Sequence, residues 1–274
     1  MQLTTFITRA TNRKALKEII VVALAATWLA GCDNSAASSA GKGGSGGTMR
    51  ELVQVERPDP PGAMHRIIRE TSYEACAGAA QALNLPVKPF PQVPADYVSE
   101  RTTVITDGSN YVRKIEHPYN EVADQMSPET GCEYRIEPSK EVDIYIVNDG
   151  KSTSVRRASD GQWRVEKNTI MPAAKKAGSE DASTYSEQLT INGVKLRCLS
   201  ASNPLISRDD LQALCRDASD QPLSTGGKPV VLYSRVKPPI GGTDFSYVVV
   251  TEPVSLKQLN QHDGKIFDPA TYTK

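Results

Sequence analysis

The chain has 274 residues, with 32 Lys and Arg against 32 Asp and Glu and three His. It therefore lacks the basic excess with which nucleic-acid binders neutralise phosphates. Hydrophobic residues are 39% of the total, below an ordinary globular domain, yet aromatic and β-branched residues recur through the second half and exclude wholesale disorder.

The chain opens with a basic region carrying Arg9, Arg13, Lys14 and Lys17, followed by an apolar run from Ile19 to Ala30. As a helix that run is about 18 Å long, too short for the roughly 30 Å core of a bilayer. A short apolar run behind a basic region is the pattern of an export leader. It ends in Leu29-Ala30-Gly31-Cys32, which resembles the lipobox of bacterial lipoprotein signal peptides at all four positions. The resemblance implies cleavage before Cys32 and acylation of its thiol. Membrane attachment would then come from acyl chains, each contributing about 0.8 kcal/mol per buried methylene. Asp33 behind the cysteine resembles the enteric signal for retention in the inner membrane, with the outer membrane as the alternative. Either way the resemblance implies the periplasmic side of a Gram-negative envelope. Loss of the leader removes four basic residues and one acidic one, so the mature chain is mildly acidic.

Residues 34–48 read NSAASSAGKGGSGGT, a tether whose r.m.s. reach is roughly 20 Å. The expected organisation is a leader over 1–31, a lipidated cysteine and tether over 32–48, and one β-rich domain over 49–274. Thr71-Ser72-Tyr73-Glu74 fits a capping box and predicts a short Ala-rich helix to Leu83. Strands are expected over 102–105 and 111–115 around Asp107-Gly108, and over 142–147 and 153–157 around Asp149-Gly150. A polar stretch from Pro172 to Glu187 reads as a long loop. Strands over 189–191 and 194–198 flank Asn192-Gly193, the strongest hairpin signal in the chain. Ser207 to Asp210 predicts a second helix carrying Leu211, Leu214 and Cys215, with Asp209 and Asp210 in its first turn. Strands over 230–236 and 245–250 complete a mainly β (α+β) fold: a curved antiparallel sheet of about eight strands with two short covering helices.

Five cysteines are an odd number for an exported chain. With Cys32 consumed by lipid, Cys76, Cys132, Cys198 and Cys215 form an even set, and two disulfides are expected. The division of the chain by the polar loop favours Cys76 with Cys132 and Cys198 with Cys215. There is no CxxC, and His65, His117 and His262 are scattered, so neither a metal nor a cofactor is expected. No nucleophile elbow, zinc-protease motif or phosphate loop occurs.

His262-Asp263-Gly264 reads as turn chemistry. Trp163, Tyr145, Tyr233, Tyr247, Phe245 and Phe267 are candidates for a ligand-lining concave face, and Val155-Arg156-Arg157 with Arg164 for a basic strip. Phe267-Asp268-Pro269-Ala270-Thr271-Tyr272 after two long strands resembles the end of periplasmic half-barrel lipid carriers, over about a quarter of the chain. The leading expectation is a non-enzymatic lipoprotein binding a protein partner in the envelope, of assembly-factor or immunity type. The alternatives are a lipid or small-molecule half-barrel and, least supported, an envelope hydrolase.

Overall fold

The structure, a computed structural model, describes residues 48–123, 126–170, 184–206, 210–238, 247–259 and 264–273. The leader, Cys32, the tether, Asp209, Phe245, His262 and most of the 172–187 loop lie outside them.

The fold is mainly β. Strand β1 (Arg50–Asp59) leads into α1 (Ala63–Ile68), a π turn (Arg69–Tyr73) and α2 (Glu74–Ala82), one helical segment of twenty residues. There follow β2 (Glu100–Thr106), β3 (Tyr111–Glu116), β4 (Tyr119–Ala123), β5 (Tyr134–Pro138), β6 (Val142–Asn148), β7 (Lys151–Arg157), β8 (Trp163–Ile170), β9 (Glu187–Ile191), β10 (Val194–Cys198) and β11 (Leu211–Asp217). After them come a small ribbon of β12 (Ser224–Thr225) and β13 (Lys228–Pro229), then β14 (Val231–Val236), β15 (Val248–Gln258) and two 3-10 turns, Gly264–Phe267 and Pro269–Thr271. Eleven strands form one open antiparallel sheet in the order β8-β7-β6-β3-β2-β1-β15-β14-β11-β10-β9, while β4 and β5 pair separately.

The sheet thus exceeds the expected eight strands by β1, β8 and β11. The helix predicted after Ser207 is corrected: Leu211–Asp217 is a strand, and the carbonyl of Asp210, expected in a first helical turn, accepts the Lys237 amide at 2.6 Å. The other helix starts earlier than its capping signal. Thr71 lies inside the π turn, and its hydroxyl donates back to the Ile67 carbonyl at 2.7 Å rather than capping. The Asn192-Gly193 hairpin forms with positive φ at both residues, as a type I′ turn requires.

Directly paired residues on antiparallel strands share a face, and the register shows the sheet exchanging its buried face across its width. One row runs Leu52–Val104–Arg113–Tyr145–Ser154–Glu166, from buried apolar to polar. The adjacent row, Glu51–Ile105–Val112–Ile146, runs the other way. At the β9 end the sheet curls on itself: Asn192 Nδ2 donates to the Pro253 carbonyl at 2.9 Å, and Leu52, Val104, Leu196, Leu223 and Leu232 close a filled core. At the β8 end the opposite face is buried, where Met49, Val112, Ile144, Ile146 and Val155 are covered by Phe267 from the C-terminal turns.

Disulfides join Cys76 to Cys132 and Cys198 to Cys215. The first ties α2 to the approach to β5. The second links directly opposed residues of β10 and β11.

Candidate functional site

The chemistry-bearing side chains gather where α1 and the β4–β5 ribbon meet the chain running into β2. Glu121 of β4 is the hub. Its carboxylate accepts from His65 Nε2 at 2.9 Å and from the hydroxyls of Tyr97 and Tyr134, each at 2.6 Å. Burial alone raises its pKa, but these three donors outweigh burial and hold it below the usual carboxylate range. The phenols respond in the opposite sense, pushed up by burial and by the adjacent carboxylate.

His65 is 1% exposed and meets the Tyr97 ring edge-on, with centroids 4.5 Å apart. Its Nδ1 has no hydrogen-bond partner among the described residues. An imidazole oriented by a carboxylate with its other nitrogen free has the form of a general base. Here the ring is sealed from solvent, and through Glu121 the group forms a latch that joins α1, the β4–β5 ribbon and the chain running into β2.

Behind the latch, Glu56 of β1 faces Glu100 of β2 across the ladder. Burial and that second carboxylate raise its pKa to about 7, against a hydrogen bond from Ser99 and the nearby charges of Arg113 and His117. Leu52, Gln54 and Glu56 alternate onto one face, so the row passes from core to polar within three inward positions.

Continuing across that face, a hollow of about 230 Å³ lies open on β3, β6, β7 and β8, with Arg113, Asp143, Tyr145, Ser154, Arg156 and Glu166 in its lining. Asp143 links His117 at 3.5 Å and Arg156 at 3.5 Å. A second hollow, of about 210 Å³, lies beside Tyr97 between Arg57 and Asp96.

Of the described members of the expected aromatic lining, only Tyr145 reaches the first hollow. Trp163 and Phe267 belong to one core, Tyr233 packs on the other, and Tyr247 is buried close to Glu121. The basic strip divides. Arg156 and Arg164 oppose each other on the open face, while Arg157 turns to the other side, 5.7 Å over the Trp163 ring. No local pattern in the sequence marks the Glu121 latch, because its four members come from four separate segments. The available hint is the inward Glu56 in the alternation of β1. Comparison with known proteins finds no matching family model, no matching curated protein and no matching solved structure.

Proposed function

We propose that the chain is an envelope lipoprotein, acylated at Cys32, whose β-rich domain is a non-enzymatic module binding a protein partner on the periplasmic side. The supporting observation is the fate of the sulfurs. Four of five cysteines pair within the fold, which fits an oxidising compartment. The fifth is Cys32, which follows Leu29-Ala30-Gly31 and precedes the Gly/Ser tract.

Protein binding is favoured over a lipid-carrying half-barrel because the curled end of the sheet is packed with leucines at 0–2% exposure, and the two hollows are open and charged. Apolar ligands need enclosed apolar space. Catalysis is disfavoured by the sealing of His65.

Cells fed an alkyne fatty acid should label the wild-type chain, while Cys32→Ser should yield an unlabelled precursor that keeps residues 1–31. Labelling that survives the substitution overturns the anchor. A photo-crosslinking residue at Tyr145 or Ser154 should yield a polypeptide adduct, and co-purified lipid in its place would transfer the reading to a carrier.

A further inference from the structure

We propose that β8 is a self-pairing edge: two copies of the chain join β8 to β8 antiparallel about a twofold axis at Val165, continuing one sheet into the next. Among the described residues β8 pairs only with β7, so its outer backbone groups have no strand partner there. Val165 is 53% exposed, Arg164 is 65% exposed, and Glu166 is exposed as well. Such an edge is a template for another strand.

The order of charges selects the partner. With Val165 opposite its own symmetry mate, Arg164 of each copy faces Glu166 of the other, twice, on the open polar face of the sheet. Val165 meets Val165 on the opposite face, where the apolar core lies. A run of like charges blocks self-pairing, but opposite charges two residues apart are complementary to their own twofold image.

Within one copy Arg164 is poorly served. Its inner neighbour across the ladder is Arg156, a like charge, and its counter-ion among the described residues is Asp160, exposed and 3.5 Å away. Glu166 from a second copy sets an opposite charge directly across the ladder from Arg164. The other edge does not share this property. In β9, Glu187-Gln188-Leu189-Thr190-Ile191, the equivalent twofold at Leu189 sets Gln188 against Thr190 and forms no ion pair. A shift in register between Ser152 and Ser154 lies beyond Glu166 and leaves the three central pairs in the regular part of the ladder. Self-association stands apart from the lipoprotein reading, since it needs neither Cys32 nor an envelope partner.

Sedimentation equilibrium of the purified full chain, up to its solubility limit, should show a monomer–dimer equilibrium. Either Glu166→Arg or Arg164→Glu should weaken it roughly tenfold or more, two attractive pairs having become repulsive. Mixing the two variants should restore dimers as a heterodimer, because an edge carrying two arginines then faces an edge carrying two glutamates. Gln188→Arg on the opposite edge should leave association unchanged, and circular dichroism should show all three variants folded. A chain that remains monomeric throughout, a dimer indifferent to the swaps, or one lost in Gln188→Arg alone overturns the proposal.

Discussion

Glu56 of β1 and Glu121 of β4 are two carboxyls whose surroundings drive them in opposite directions. Glu121 accepts three hydrogen bonds and stays ionised. Glu56 receives one side-chain hydrogen bond, from Ser99, and faces another carboxylate. The linkage differs accordingly. With a folded pKa of about 7 against 4.5 for the free group, Glu56 binds its proton more tightly in the folded chain. Its favourable contribution is complete below pH 4.5 and is lost as pH rises through 7. Glu121 contributes above the unfolded carboxylate pKa and loses that contribution only in more acid solution. Between about pH 5 and 8 Glu56 therefore contributes a falling slope. Its share should amount to a loss of about 2 kcal/mol of unfolding free energy over that range, a figure discounted for partial exposure. Glu56→Gln should flatten the profile, read by urea unfolding at both ends of the range with the disulfides intact. An equally steep decline in the variant would remove Glu56 as its source. Beyond the alternation that turns Glu56 inward, neither carboxyl stands out in the sequence, since each depends on neighbours that only the fold assembles.

At the scale of elements, legibility followed local chemistry. The Asn-Gly and Asp-Gly turns formed where expected, because left-handed backbone is set by one or two residues. The helix predicted after Ser207 gave way to a strand over Leu211–Asp217. Pairing with β10 and β14, together with the cross-strand Cys198–Cys215 bond, fixes Leu211–Asp217 as extended, and tertiary pairing overrides propensity. Two glycines separate local preference from enforced geometry in the same way. Gly78 lies in α2 with no atom within 4 Å of an added Cβ, and its φ is ordinary. Gly78→Ala should raise stability by about 0.5–1 kcal/mol. Gly131 has φ of 61°, and an added Cβ would lie 1.8 Å from the Pro86 carbonyl oxygen, which accepts the Cys132 amide. Gly131→Ala should cost about 3 kcal/mol or more, since both the left-handed backbone and the Pro86 contact are lost. Thermal unfolding of the two variants beside the wild type should move Tm in opposite directions, and a neutral Gly131→Ala would show that the approach to Pro86 relaxes freely.

Over the whole molecule, the mainly β architecture was readable from turn spacing, but the exchange of buried faces was not. β1 and β8 escaped notice because each mixes charges into its alternation, as strands do when one face changes from core to solvent along the sheet. That exchange has a thermodynamic consequence. The central segments serve both cores at once: Leu52 and Val104 enter the one at the curled end, while Met49 and Ile105 enter the one under the C-terminal turns, and Leu256 and Leu259 divide in the same way. Neither half can shed its core without disturbing strands that hold the other. Unfolding should therefore be a single cooperative transition in which Trp163 fluorescence and far-ultraviolet circular dichroism coincide. Phe267→Ala, in one core, should cost about 3–5 kcal/mol and Leu196→Ala, in the other, about 2–5 kcal/mol, each moving both probes together. If Phe267→Ala instead brought the Trp163 change to lower denaturant while the dichroism midpoint stayed in place, the two ends of the sheet would be independent folding units despite their shared strands.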